Sequence, residues 1–328
     1  MTGFIENMGS PMIRKSKADK KTIIRDSTLR EGEDVVGVNF PLEKKLKIAQ
    51  YLDQAQVPEI EVVAPGKVFK DLEFAKTLKE ERLQTRTSGL VYAYNPRCQE
   101  EIEEISRCLD RFDLLMPVSP KRKPYDRSSK INQLLKALAF SLHHLASVGV
   151  GFPHSTQADI GLLLEISLES VKRGAKRITV YDTNGSSDPF SIYDLVKQLK
   201  RGISVPLFFH GHNDLGMATA NSLAAVYAGA DGLDVTINGL GDRAGNASLE
   251  QVVLGLHLKG FETRIILQDL RRLSKTIEEE SGIKVFKLAP VVGEKIFIHK
   301  SPSHLENPEL FEAFDPELVG SKRKLSRS

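Results

Sequence analysis

The chain has 328 residues, of which 41% are hydrophobic and 27% are charged. These proportions are those of a globular protein with a sizeable core, and they argue against global disorder. The net charge is only +3, with basic residues concentrated near the two ends in 15–21 and 322–327, so we expect no nucleic-acid partner. Two cysteines, Cys98 and Cys108, are too few for a disulfide framework.

Targeting signals are not evident in the sequence. The first 21 residues contain no apolar stretch of signal-peptide length, and the chain has no uncharged run long enough to span a bilayer. We therefore expect a cytoplasmic protein with no membrane partner. We interpret 1–21 as a flexible N-terminal segment.

From residue 22 onward, short apolar runs alternate with longer stretches of helical period, which is typical of parallel strands joined by helices. The segments 42–54 and 217–228 are examples of the predicted helices, each with apolar residues along one face. The eight candidate strands cover residues 22–26, 59–64, 85–92, 112–118, 148–152, 177–182, 207–212 and 232–238. Eight such units predict an α/β protein, a (β/α)8 TIM barrel over 22–280, with chemistry at the C-terminal ends of the strands.

A short C-terminal extension, 281–328, follows the barrel. Its irregular sequence, which begins near VFKLAPVVGEKIFIHKSPSH, has no strand and helix alternation. We interpret the extension as a lid over the barrel mouth or as a segment exchanged between the subunits of a dimer.

The sequence LFFHGHN places two histidines at the end of the seventh strand. His210 and His212 are two residues apart, so their side chains point to the same side of the strand. Two converging imidazoles favour a divalent metal site. The alternative is that one histidine only forms a hydrogen bond inside the barrel.

A third metal ligand is expected from the loop after the first strand, where IIRDSTLREGED carries Arg30 and Glu31. Strands one and seven of a closed eight-stranded barrel are separated only by strand eight, so Glu31 can reach the same metal. Two histidines and one carboxylate leave positions open for water and a bidentate substrate. On this segment alone, Arg30 and Glu31 are equally well explained as exposed loop charges.

Two further segments follow predicted strands. NGLGDRAGNASLE contains glycines that would let the backbone approach a ligand, and Asn246, which would cap a helix or join the metal shell. Asp182 and Thr183 close the sixth strand, where they would bind a substrate carboxylate or cap the next helix.

Together, RDSTLREGED, VYDTNG, HGHNDLGMATANSLAAVYAGADGLDVTINGLGDRAGN and VVGEKIFIHKSPSH resemble the metal-dependent pyruvate-carboxyltransferase-like TIM barrels, also called DRE-TIM barrels. Within that group they look most like isopropylmalate and homocitrate synthases. The resemblance extends from Ile23 to about Gly320. It implies an acyltransferase that condenses acetyl-CoA with a 2-oxo acid in a Claisen condensation, giving a 2-hydroxy dicarboxylic or tricarboxylic acid for amino-acid or specialised-metabolite biosynthesis. It also implies a homodimer.

The resemblance implies a role for each candidate residue. A divalent cation, which would be Mg²⁺, Mn²⁺, Co²⁺ or Zn²⁺, would be bound by four residues. The other candidate residues would bind substrate or transfer protons. Arg30 would stabilise charge on the keto or enolate oxygen, Thr183 would contact the 2-oxo acid carboxylate, and Gly239 and Gly241 would line the acetyl-CoA site. His304 would transfer protons, often in a neighbouring subunit's site. The metal contacts would be Glu31, His210, His212 and Asn246.

The sequence departs from the family pattern after the fifth strand. The synthases carry Phe-Ser-x-Glu-Asp with a nearby Arg, whereas this chain reads FPHSTQAD at 152–159. An Arg that would pair with the distal carboxylate of 2-oxoglutarate is absent, so we expect a different 2-oxo acid. The general base is not identified, because the Ser155-Thr156 segment replaces the usual glutamate. Asp34 and Asn184 also stand where the family usually has Gln and Val.

Two other functions are consistent with the motifs. The first is a lyase or aldolase that breaks a carbon–carbon bond with the same metal triad; the HKSPSH segment instead favours a synthase. The second is a catalytically impaired binding subunit, which the altered fifth-strand segment suggests and the intact metal ligands argue against.

Overall fold

The computed structural model describes residues 21–121 and 126–326. Residues 1–20, nearly all of the predicted flexible N-terminal segment, lie outside the described residues. Lys21, the last residue of that segment, forms a parallel bridge with Glu262. Among the described helices, none is long and apolar enough to cross a bilayer. Cys98 and Cys108 are buried free thiols.

Eight parallel strands close into a barrel in which each strand pairs with the next and the eighth pairs with the first. The predicted TIM barrel is therefore confirmed, and each predicted strand boundary lies within three residues of the observed one. The strands are β1 Ile23–Asp26, β2 Glu59–Val63, β3 Arg86–Tyr92, β4 Arg111–Leu115, β5 Val148–Phe152, β6 Ile178–Asp182, β7 Leu207–Gly211 and β8 Gly232–Val235.

Helices surround the barrel, and most of them follow a strand. Asp159, Asp188 and Ser248 cap three of them by accepting hydrogen bonds from backbone amides of the first turn. The helices are α1 Thr28–Glu31, α2 Leu42–Gln54, α3 Val68–Glu81, α4 Cys98–Ser106, α5 Arg127–His144, α6 Ile160–Lys172, α7 Pro189–Lys200, α8 Ala218–Ala228, α9 Leu249–Leu258, α10 Leu270–Ser281 and α11 Pro302–Glu306. The apolar core lies between these helices and the outward faces of the strands.

Charged side chains fill much of the barrel interior, where aliphatic layers are more usual. We call these buried residues the ionic layer: Arg25, Glu59, Glu61, Asp113, Arg177 and Asp234. Arg25 Nη1 donates to Asp113 Oδ2 at 2.9 Å, and Arg177 Nη1 donates to Glu59 Oε1 at 2.8 Å, so both bonds cross the barrel. Each of these charges has a partner of opposite sign. An unpaired charge inside the barrel would be strongly destabilising.

The C-terminal extension begins after α10 and packs partly against the barrel. Val292, Phe297 and Val319 are buried in the core, and Arg271 Nη1 of α10 donates to the Val292 carbonyl oxygen at 3.1 Å. The extension includes α11 and a two-stranded parallel sheet formed by β9 Ile298–His299 and β10 Lys324–Leu325. Its role as a lid or exchanged segment stays a prediction.

Candidate metal centre at the barrel mouth

Three potential metal ligands converge where β1 and β7 end. Glu31 is the last residue of α1, which follows β1, while His210 lies near the end of β7 and His212 just beyond it. His210 Nε2 lies 3.3 Å from His212 Nε2 and 3.4 Å from Glu31 Oε1. All three side chains are buried, and their ligand atoms lie within 4.8 Å of one another. The convergence expected from the sequence is therefore present in the structure.

The short helix α1 places Glu31 over the barrel because the chain turns immediately after β1. Asp26 Oδ1 accepts a hydrogen bond from the Thr28 amide at 3.0 Å, and the Glu31 amide donates to the Ser27 carbonyl oxygen at 2.8 Å. Thr28 Oγ1 accepts from the Ile237 amide, which follows β8, at 2.8 Å. The last of these bonds fixes the helix that carries Glu31 to the segment that follows β8. Glu31 is therefore a buried residue of this turn and not an exposed loop charge.

The protonation states of the cluster suit a cation. Burial raises the pKa of Glu31, but the neighbouring Arg30, His210 and His212 outweigh burial and lower that pKa from 4.5 to about 2. Burial, assisted by repulsion from His210, lowers the pKa of His212 from 6.5 to about 4. At neutral pH the cluster therefore presents a carboxylate and a neutral imidazole, the forms that bind divalent metals.

Asn246 extends the cluster from the loop after β8. Its Nδ2 lies 3.1 Å from His210 Nε2, and its Oδ1 is buried without a hydrogen-bond partner among the described residues. A Cβ atom on Gly241 would overlap Asn246 Oδ1, and Gly239 has a φ of +68°. The two glycines therefore let Asn246 approach the cluster. Ser248, not Asn246, caps the following helix, so the capping role predicted for Asn246 is wrong. The place of Asn246 in a metal shell stays a prediction. The predicted contact of these glycines with acetyl-CoA stays a prediction.

Arg30 lies beside the cluster and is held by two carboxylates. Its Nε donates to Glu61 Oε2 at 2.5 Å, and its Nη1 contacts Glu31. Ser27 Oγ donates to the same Glu61 oxygen at 3.0 Å. Arg30 Nη2 is buried and has no hydrogen-bond partner among the described residues. Arg30 is thus a fixed cation with donor capacity left for a ligand.

Thr183 joins the loops that follow β5 and β6. Its Oγ1 accepts a hydrogen bond from the His154 amide at 2.8 Å, so its hydroxyl hydrogen remains available to a ligand. Asp182 accepts from Thr156 Oγ1 at 3.0 Å and from the Ser187 amide at 3.1 Å. Asp188 caps α7, so the expectation that Asp182 or Thr183 would cap this helix is wrong.

His304 lies on α11, within the extension. Its ring stacks on Phe311 with ring centroids 3.7 Å apart, and its Nδ1 lies 3.4 Å from His299 Nδ1. His299 Nε2 in turn lies 2.9 Å from Glu312 Oε1. These contacts place His304 in a cluster of the extension.

Sequence reasoning missed residues that hold this site together. Asp234 contacts His210, and Glu61 contacts Arg30. Arg243 ties three loops of the barrel mouth, because it donates to both carboxylate oxygens of Asp214 at 2.8 and 2.9 Å and to the Thr183 carbonyl oxygen at 2.8 Å. Charged residues at inward positions of apolar strands were the available signal, since buried charges are normally paired.

The fold and the cluster define a TIM-barrel protein with a candidate metal centre at the face where such barrels carry their chemistry. The profile of the HMGL-like family matches residues 21–277. The chain belongs to the HMGL-like family.

Named relatives of the chain are synthases. The chain is 36% identical to homocitrate synthase 1 of Nostoc sp. strain PCC 7120, over 93% of this chain and 82% of that protein. It is 35% identical to 2-isopropylmalate synthase and 33% identical to (R)-citramalate synthase, both of Methanocaldococcus jannaschii. The alignments cover 93% and 92% of this chain but only 60% and 63% of those two relatives.

Solved structures share the fold at lower identity. An HMG-CoA lyase from Acinetobacter baumannii superposes with a TM-score of 0.73 at 19% identity, over 87% of this chain and 99% of the lyase chain. The carboxyl transferase domain of Rhizobium etli pyruvate carboxylase gives a TM-score of 0.68 at 17% identity, over 80% of this chain and 48% of that chain. These likenesses concern the barrel architecture.

Proposed function

We propose that this protein condenses acetyl-CoA with a 2-oxo acid. The observation that carries the proposal is the buried group of Glu31, His210 and His212 beside Arg30, in a chain 33–36% identical to homocitrate, 2-isopropylmalate and citramalate synthases. In the proposed reaction the methyl carbon of the acetyl group loses a proton and bonds to C2 of the 2-oxo acid. Water then cleaves the thioester and releases the free thiol of CoA.

A divalent cation fits the donor set of this site. Two imidazoles and one carboxylate would hold it, with the Asn246 amide oxygen as a fourth contact, and Mg²⁺, Mn²⁺, Co²⁺ and Zn²⁺ all accept such mixed nitrogen and oxygen ligands. The unpartnered Asn246 Oδ1 and the low pKa values of Glu31 and His212 support this assignment. When bound, the cation supplies Lewis acidity toward the 2-oxo acid.

Arg30 supplies the fixed positive charge of the site. Its guanidinium stays protonated because Glu31 and Glu61 outweigh the effect of burial and raise its pKa. We assign its unpartnered Nη2 to the substrate oxygen on which negative charge develops, an interaction that strengthens as the reaction proceeds. Thr183 would orient the carboxylate of the same 2-oxo acid.

Proton transfer is assigned to His304 of the extension. Because His304 contacts residues of its own extension, its proposed role requires the extension to reach a barrel mouth. That mouth would belong to the neighbouring subunit of a homodimer. Gly239 and Gly241 would form part of the acetyl-CoA site.

The proposal is tested by incubating the full chain with acetyl-CoA, each of several 2-oxo acids and each of the four cations, while release of the CoA thiol is followed with a thiol reagent. We expect thiol release that needs both a 2-oxo acid and a cation, and that stops in a chelator. Cleavage of 2-hydroxy acids or acyl-CoA thioesters without acetyl-CoA consumption would instead indicate a lyase. Metal binding without turnover on any acid would indicate a binding subunit.

A further inference from the structure

Both ring nitrogens of His210 have defined neighbours. Its Nε2 faces Glu31, His212 and Asn246, whereas its Nδ1 lies 3.0 Å from Asp234 Oδ2. His210 on β7 and Asp234 on β8 are register partners in the barrel. The contact is therefore fixed by the pairing of two neighbouring strands.

Asp234 also accepts two hydrogen bonds from Arg25. Arg25 Nε donates to Asp234 Oδ1 and Arg25 Nη2 donates to Asp234 Oδ2, both at 2.7 Å. The two residues are almost completely buried, with 2% or less of either exposed. A carboxylate bound by a guanidinium in this two-bond geometry has little freedom to rotate. One oxygen of Asp234 is thus directed at His210 by the ionic layer of the barrel.

We propose that Asp234, fixed by Arg25, positions His210 so that its Nε2 lone pair faces the metal. An ionised carboxylate accepts hydrogen bonds and donates none, so His210 must carry its proton on Nδ1 to bond to Asp234. The Nε2 atom then has a free lone pair directed at the cluster. Carboxylates that orient a metal-binding histidine in this way strengthen metal binding. Asp234 is a positioning residue, and its assignment rests on the metal centre of the proposed function.

The ionic layer contains a matched control for Asp234. Asp113 is also completely buried and also accepts from Arg25, with Arg25 Nη1 at 2.9 Å. Its other hydrogen bonds come from Arg177, which immediately precedes β6, and from Thr179 on β6. A substitution of Asp113 therefore disturbs the same buried guanidinium without removing the partner of His210.

The test compares Asp234→Asn with Asp113→Asn. Asparagine keeps the shape of aspartate but replaces one oxygen with an NH2 group. If the NH2 group faces Arg25, two donors meet and a hydrogen bond to Arg25 is lost. If it faces His210 Nδ1, it stabilises the tautomer that carries its proton on Nε2. We expect Asp234→Asn to weaken Mn²⁺ and Co²⁺ binding by roughly 10- to 100-fold in calorimetric titrations. Asp113→Asn should lower the melting temperature but leave metal affinity within about threefold of the wild type.

Equal metal affinity in wild type and a folded Asp234→Asn variant would overturn the inference. A second measurement covers a variant that does not fold: nitrogen NMR of wild-type protein labelled in histidine. The metal-free protein should show His210 protonated at Nδ1, and Zn²⁺ should shift the Nε2 resonance. Protonation at Nε2, or a shift of Nδ1 on metal addition, would overturn the inference while leaving the metal centre intact. A wild-type protein that binds none of the four cations would instead refute the metal centre, and with it this role of Asp234.

Discussion

The barrel mouth and the C-terminal extension supply different parts of the proposed chemistry and are held in different ways. Glu31 ends the short helix that follows β1, His210 lies on β7, and the ionic layer beneath them fixes their neighbours. His304 lies on a five-residue helix whose contacts are with His299 and Phe311 of the same extension. The proposed metal-binding half is thus assembled within one chain, whereas the proposed proton-transfer half depends on where the extension docks.

The barrel mouth and the C-terminal extension also differ in how exposed their side chains are. Large apolar side chains of the extension are exposed, including Phe286 at 71%, Leu288 at 57% and Leu310 at 77%. By contrast, the ligands of the barrel cluster are at most 7% exposed. We expect the barrel cluster to form within a single folded chain and the extension to need a further contact. Each of the following experiments tests one side of this comparison.

The largest effect is expected from the barrel ligands. His210→Ala and His212→Ala should lose metal binding, and activity with it, because each removes one of three converging donors. Arg30→Ala should retain the metal, since it removes a cation from the cluster, but lower kcat by roughly 10²- to 10³-fold because developing charge loses its partner. Metal analysis of purified variants separates the two outcomes, with the exposed His257→Ala on α9 as the control. Equal metal loss in all three site variants would refute the division of roles.

The extension is tested by His304→Ala. We expect unchanged metal affinity and a roughly 10²- to 10⁴-fold lower kcat, which is the usual contribution of a general acid or base. If His304 acts in the neighbouring subunit, His304→Ala and His210→Ala chains that are unfolded and refolded together should form mixed dimers with one intact site each. Such a mixture should recover up to about a quarter of the wild-type activity. Absence of recovery from a mixture shown to form mixed dimers would place His304 in its own subunit's site.

The buried carboxyl group of Asp26, at the end of β1, should make the stability of the barrel depend on pH. Burial raises its pKa from 3.8 to about 7, with smaller contributions from Glu250 and Glu61. Between pH 4 and 7 the folded protein therefore holds a proton that the unfolded chain releases, so the free energy of unfolding should fall as pH rises through this window. The loss is at most about 4 kcal/mol for a shift of this size.

Asp26→Asn should remove this pH dependence, because asparagine keeps an oxygen for the Thr28 amide and cannot ionise. Denaturant unfolding at pH 5 and pH 8 checks the effect, with the exposed Asp194→Asn of α7 as the control for charge. Identical slopes of stability against pH in wild type and Asp26→Asn would contradict the assignment.

The smallest effect concerns the choice of 2-oxo acid at the barrel mouth. The residues that replace the usual motif after β5 include no arginine or lysine: Ser155 Oγ bonds to the Phe152 carbonyl oxygen, and Asp159 caps α6. We expect kcat/KM for 2-oxoglutarate to be roughly a hundredfold below that of a 2-oxo acid with an uncharged side chain, because its second carboxylate lacks a partner. Pyruvate, 2-oxoisovalerate and an aromatic 2-oxo acid provide the comparison.

A preference for 2-oxoglutarate would mean that another basic residue binds the second carboxylate. Lys121, after β4, is exposed and is the first candidate. Arg122 and Lys123, the other candidates from the sequence, lie outside the described residues. Substitution of each by methionine would then identify the one that lowers kcat/KM for 2-oxoglutarate alone.

Sequence patterns predicted the strands and the convergence of the three candidate ligands because both follow from local rules. Apolar runs give the strands, and chemistry collects at their carboxyl ends, so Glu31, His210 and His212 could be placed together before the structure was known. The pairing of Arg25 with Asp234 could not be predicted, because the two residues are 209 positions apart and only barrel closure joins them. The surroundings of His304 could not be predicted either, since irregular segments lack a periodic pattern.

The ionic layer also affects how the stability of this barrel changes with temperature. Exposure of apolar surface on unfolding raises the heat capacity, whereas exposure of polar surface lowers it. Arg25, Asp113, Arg177 and Asp234 fill space that aliphatic side chains occupy in most barrels of this kind. Unfolding should therefore involve a smaller heat-capacity change than in an aliphatic barrel of equal length, and the free energy of unfolding should vary less steeply on either side of its maximum.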